Sequence, residues 1–291
     1  MTNSTPTSSS PPTGPSAGPV DPVSSSASAV LPCSSSAPAA RGSIYIRVTG
    51  AALRRTCFGR SSTAYSTMKS ARGEITINGF YDDVRSPTLL ERKALAALPY
   101  DPAGIREELD VARLDTPRDR PIADRLAVWP TQTINGLHGG YAREGTKTVL
   151  PCEAMAKCDM RLVVGQIRDD ALAKVEAHVR KHAPNAEFVP LGGMDPSKTP
   201  LDSPFADPVR RGMVEAQGED PLIVPTLGGG LPDYVFTKIL GIPAFGAPYA
   251  NRDEANHAPN ENLDVERFFA GIRTGVAILS QLGAMANPHG A

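Results

Sequence analysis

TLGGGLPDYVFTKILGIPAFGAPYANRDEANHAPNEN, residues 226–262, is the stretch around which the chain is organised. Three glycines, Gly228, Gly229 and Gly230, precede an apolar run that reads as a short helix. A second apolar run near Ile242 to Phe245 reads as a strand, and a polar loop follows with one histidine, His257, between Asn256 and Glu261. Glycines let a backbone approach a ligand closely, and strand ends in α/β sheets aim loops at a crevice. An imidazole among acids and amides can ligate a metal or carry a proton, yet a lone loop histidine is more often simply solvated. Physics alone leaves both readings open.

Two more stretches lie upstream: GEITINGFYDDV at 73–84 and INGLHGGYAREGTKTVLPCEAMAKCDMRLV at 134–163. With GGGLPDYVFTKILGIP and EANHAPNENL they span about Arg41 to Leu282. In this order they resemble the carnosinase-like cytosolic dipeptidase branch of zinc metallopeptidase family M-twenty. The resemblance implies an α/β fold with an α+β lid: a ferredoxin-like dimerisation domain at 42–190, then the C-terminal part of a zinc-peptidase α/β catalytic domain at 191–291, behind a tail at 1–41. It also implies a metal-dependent hydrolase of dipeptides or related amide bonds, such as N-acyl amino acids, working as a homodimer with two ions of zinc or manganese.

Composition agrees with a globular chain. It has 291 residues, 41% of them hydrophobic, and a net charge of −1, so nothing favours nucleic acid or a membrane surface. Residues 1–40 hold 12 Ser and 8 Pro with one acid, Asp21, and no Lys or Arg. Such a tail buries too little apolar surface to offset the entropy of ordering, and it matches neither a secretory signal nor a transit peptide. A cytoplasmic location is the expectation. Cys152 and Cys158, on one strand, would stand roughly 20 Å apart, too far for a disulfide. With Cys33 and Cys57 they read as reduced structural thiols.

Periodicity predicts a strand at Ser43–Val48, a short helix near Thr63–Lys69, a strand at Glu74–Ile77, and helices at Thr88–Ala97, Ala103–Leu109 and Ala123–Val128. A strand at Thr131–Ile134, a glycine-rich loop at Gly136–Lys147, a strand from near Thr148 and one at Met155–Val163 follow. Because that loop leads into a strand and not a helix, it cannot be a phosphate cradle. Asp169–His182 reads as a helix with Leu172, Val175, Val179 and His182 on one face, and Glu187–Pro190 as a closing strand. Together these make the strand, helix, strand, strand, helix, strand order of a split βαβ unit. A helix at Asp207–Glu215, a strand at Pro221–Pro225 and a final helix at Asp264–Leu282 complete the reading. Asp264 is its N-cap, and Val265, Phe268, Phe269, Ile272, Val276, Leu279 and Leu282 are a face expected to be buried against a sheet.

The resemblance assigns site residues. Arg161 corresponds to the arginine that binds the substrate carboxylate, which suits its planar fork. Thr148 corresponds to a threonine that reaches the substrate from the partner subunit, and His257 to a metal ligand. Gly229 and Gly230 belong to a substrate-binding turn in which Gly230 replaces the family's serine, leaving N–H donors but no hydroxyl. His138 stands where that branch usually has tryptophan and is given no role. The family's His-x-Asp, bridging Asp, Glu-Glu and general-base segments have no counterpart here, so no catalytic residue is assigned and the chain is expected to be an incomplete, inactive form. The alternative is a non-catalytic dimerisation or interaction protein derived from the family.

Overall fold

The computed structural model describes residues 41–49, 57–108, 110–112, 114, 120–151, 153–227, 231–251, 253–256 and 258–285. The Ser/Pro-rich tail, Gly228, Gly229, Gly230 and His257 therefore lie outside the described residues.

Four strands, β1 (Arg41–Thr49), β2 (Thr131–Gly139), β3 (Glu153–Arg161) and β4 (Ala186–Gly193), form one antiparallel sheet in the order β2-β3-β1-β4. Helix α1 (Cys57–Ser66) follows β1. Three more helices, α2 (Leu89–Ala96), α3 (Pro102–Glu108) and α4 (Ile122–Ala127), precede β2, and α5 (Arg168–His182) joins β3 to β4. Apart from the insert α2 to α4, this is the ferredoxin-like arrangement read from the sequence.

Period-2 alternation makes the sheet two-faced. Along β3, Ala154, Ala156, Cys158 and Met160 are buried in the core, while Met155, Lys157, Asp159 and Arg161 point to the opposite face. Ile44 lies opposite Cys158 in register, and the core closes over them with Met68, Phe80, Val175 and Val179. The insert has a small core of its own, Leu95 with Ala123 and Ala127. Thr88 and Glu91 make a reciprocal capping box at the start of α2, so both end donors are satisfied.

Several elements differ from the sequence reading, each for a physical reason. Helix α1 starts six residues before Thr63, in a Ser/Thr-rich stretch; Ser62 and Thr63 hydroxyls donate to the Gly59 carbonyl one turn back, at 3.0 and 2.8 Å. Glu74–Ile77 is no strand but one side of a tight turn, bridged once between Lys69 and Ile75, with Ile75 and Ile77 dipping into the core. The glycine-rich loop begins later than expected, because β2 continues to Gly139 through a register shift between Ile134 and Gly136. No strand begins at Thr148; β3 starts at Glu153. On α5 the buried residues are Ala171, Val175, His178 and Val179, so His178 and not His182 turns inward. It does so because the Thr67 hydroxyl meets its Nε2 at 3.0 Å.

Beyond the sheet come α6 (Ala206–Gln217), a π turn at Val235–Ile239 where a short helix was expected, and α7 (Val265–Gly283). No strand forms at Pro221–Pro225 or Ile242–Phe245, where the backbone finds no neighbouring strand among the described residues. Asp264 caps α7 as expected, its carboxylate accepting the Glu266 N–H. The expected burial of the apolar face of α7 is not found: Val265, Phe268, Phe269, Ile272, Val276 (63% exposed) and Leu279 (70% exposed) face outward, and Leu282 is half-buried. Helix α7 instead packs on α6 through Thr274, Ala277 and Ile278, the last against Gly212.

Candidate functional site

Arg161 is the last residue of β3, half-buried, on the face away from the core and opposite Arg41 and Thr131 in register. Thr148 belongs to the other end of the same hairpin. There Gly139 pairs with Ala154, and residues 141–150 between the two strands are all exposed. Seven residue steps along the strand take Ala154 to Arg161, about 23 Å. Thr148 lies in this exposed loop, at the end of the hairpin opposite Arg161. The structure thus separates these two candidates within one chain.

The segment around His257 is organised by two asparagines. Asn251 Oδ1 accepts the Asp264 N–H at 3.0 Å, and its amide donates to Asp253 Oδ1 at 2.7 Å and Asn262 Oδ1 at 2.8 Å. Asn262 Nδ2 donates to the Asp253 and Asn260 carbonyls, and its backbone N–H to Glu254 O. Two residues in this loop, Ala255 and Asn260, have left-handed φ of 50° and 66°. The loop is therefore stitched across its base, directly before the N-cap of α7. The Asn251 amide, more than any other group, holds the Asp253 carboxyl below its ordinary range. Neither asparagine was a candidate from the sequence. The only local signal is that both are amides in a polar run, which does not distinguish a stitch from solvated surface.

The donor set does not make a metal centre by itself. Among the described residues no group of three or more His, Cys, Asp or Glu is placed to hold an ion, and Asp253 is already engaged by Asn251. A closed site needs about four ligands. The described residues do not fit two ions, and His257, Gly229 and Gly230 lie outside them. Cys158 is no candidate ligand either: burial chiefly, with Asp159 adding, pushes its thiol up to about 11.

Comparison with known proteins follows the same lines as the fold. Residues 84–187 match the family described as Peptidase dimerisation domain. The Cys-Gly metallodipeptidase of Schizosaccharomyces pombe is 25% identical over 230 residues, 76% of this chain and 48% of that protein. The Beta-Ala-His dipeptidase of Rattus norvegicus is 21% identical over 226 residues, 75% of this chain and 46% of that one. The chain spans about half the length of the curated relatives it matches. Among solved structures, an M-twenty family metallo-carboxypeptidase from Sulfolobus solfataricus superposes with a TM-score of 0.75 at 25% identity, over 86% of this chain and 60% of that one. The sequence resemblance therefore holds: residues 84–187 match the peptidase dimerisation domain, and about three quarters of the chain is similar to metallodipeptidases.

Proposed function

We propose that this chain contributes the lid and the C-terminal segment of a metal-dependent hydrolase of dipeptides or N-acyl amino acids, acting as a homodimer. In this reading Arg161 grips the substrate's free carboxylate with its guanidinium fork, the Gly229 and Gly230 N–H groups donate to the same end, and His257 supplies one ligand to a pair of zinc or manganese ions. No residue of this sequence is assigned to the remaining ligands or to the general base. Such ions would supply an activated water and a polarised scissile carbonyl.

The observation that carries the reading is the separation of Thr148 from Arg161. If both touch one substrate, as the family resemblance has it, Thr148 comes from a second copy. The edge of the sheet supports such pairing: among the described residues β2 bonds only to β3, and Ile134, Leu137, Tyr141, Val149 and Leu150 are exposed along it and its following loop. An unpaired strand edge with apolar neighbours is a ready docking surface.

The test uses Cys-Gly and β-Ala-His with zinc or manganese, assayed on the chain as given and on the chain joined to the N-terminal portion of a Cys-Gly metallodipeptidase. Turnover only in the joined form, abolished by His257→Ala and reduced about 100-fold or more in kcat/KM by Arg161→Ala, is expected. Mixing Thr148→Ala with Arg161→Ala subunits should restore up to about a quarter of the activity, since one of the two sites in each mixed dimer is then intact. Activity unaffected by Arg161→Ala would overturn the assignment.

A further inference from the structure

Between β4 and α6 the chain runs through a short connector, and three of its side chains reach out in different directions. Met194 packs against the sheet core and so fixes where the connector starts. Asp195 Oδ1 accepts the Arg168 N–H at 2.9 Å, capping α5 from outside the helix, and Asp195 Oδ2 faces Lys238 Nζ of the π turn at 3.3 Å. Lys198 Nζ pairs with Oε1 of Glu91 at 2.5 Å; Glu91 is only 4% exposed and its other oxygen accepts the Thr88 N–H. Thr199 Oγ1 accepts the Ala244 N–H at 2.9 Å and donates to the Ala244 carbonyl at 2.8 Å.

What these bonds hold is unusual. The segment they grip is apolar, yet Phe236, Ile239, Leu240, Ile242 and Phe245 are exposed, and the π turn has no buried residue. Apolar packing, the ordinary anchor of such a segment, is not what fixes it. We propose that the connector 194–199 is a polar strap that fastens residues 233–245 to the sheet, and that Asp195, Lys198 and Thr199 carry the fastening. Lys238 and Ala244 are the points of attachment, while Glu91 ties the strap's middle to the helical insert. Under the reading proposed above, this matters because the fastened segment lies between Gly230 and His257 in sequence. The strap itself does not depend on that reading, and its test uses no substrate.

The test is hydrogen exchange on the full chain. Leu240 donates to Val235 O, Ile242 to Phe236 O and Ala244 to Thr199, so all three amides start protected. Asp195→Asn removes the charge on the Lys238 pair but leaves an acceptor for Arg168, and Thr199→Val removes both bonds to Ala244. Glu91→Gln keeps the capping box and loses the ion pair. In the triple variant, exchange at Leu240 and Ile242 should rise about tenfold or more while amides of β1 and β3 stay as in the parent. Raising salt to 1 M on the parent chain should shift the same amides in the same direction by a smaller factor, which tests the strap without any substitution. Acceleration confined to Ala244, or spread equally over the sheet, overturns the proposal. A dipeptide assay that fails while the exchange result holds overturns the functional reading alone.

Discussion

His178 shows how one buried group sets a pH dependence. Burial first, then the neighbouring His182 and Lys181, lower its pKa, and the ring sits against Thr67 with His182 4.3 Å away, centroid to centroid. The unfolded imidazole titrates near ~6.5, so below that value the unfolded chain takes up a proton that the folded chain resists. Stability from this group is fully present above about pH 6.5 and falls as pH drops through the folded value. Urea midpoints measured at pH 8 and 5.5 should differ in the parent, and less so in His178→Asn. Two carboxylates act lower on the scale. Burial works to raise Glu91 and Asp195, but Lys198 and the Thr88 N–H for the one, and the Arg168 N–H and Lys238 for the other, outweigh it and hold both below their ordinary values. Their contribution is present above about pH 4 and is lost only as pH falls through the lowered folded pKa values. A shallow loss near neutrality followed by a steeper one in acid is the expected profile. None of this is readable from DDALAKVEAHVRKH alone. The helix is legible there, but which of its two histidines turns inward depends on a threonine 111 residues away.

At the scale of the element, α6 and α7 meet at a point too close for any side chain. A Cβ on Gly212 would lie 2.6 Å from the Ile278 Cα and 2.7 Å from its N, whereas a Cβ on Gly275 meets nothing. Gly212→Ala must therefore push the helices apart, costing about 1–3 kcal/mol, and Gly275→Ala should instead gain roughly 0.5–1 kcal/mol from helix propensity. Thermal melts of the two variants should shift in opposite directions. The same contrast explains what the sequence revealed. Helices with local end signals were found nearly to the residue: α2 from Thr88, α7 from Asp264, α5 from its acidic first turn. The strands of the sheet were found because alternation in β1 and β3 is a property of the segment itself. Pro221–Pro225 and Ile242–Phe245 carry equally apolar residues, but a strand requires a neighbour, and that lies outside the segment. The candidate residues divide in the same way: Arg161 was placed on its strand, whereas the partners of Asn251, Asn262 and Asp195 are fixed only by the folded chain.

For the whole molecule, apolar side chains are exposed in three places: on the outward face of α7, in residues 236–245, and along β2 and the loop after it. A monomer of this size seldom exposes so much. Self-association at micromolar concentration is expected in sedimentation, and Leu137→Lys should weaken dimer formation if the β2 edge is used. Phe269→Lys should instead reduce aggregation without changing the dimer. A stable monomer in the parent chain would contradict both. No described helix is long and apolar enough to cross a membrane, so this exposure is not accounted for by a transmembrane helix among the described residues.

The place of Cys158, in the middle of β3 and 1% exposed, offers a clock as well as a packing contact. A thiol raised to about 11 and walled in by Ile44, Met160 and Val175 cannot meet an alkylating reagent unless β3 leaves its neighbours. In a variant with Cys33, Cys57 and Cys152 replaced by alanine, the rate of Cys158 alkylation in native buffer, divided by that of a free thiol, would count how often the sheet opens. Opening would then be measured at a single atom, in the absence of denaturant.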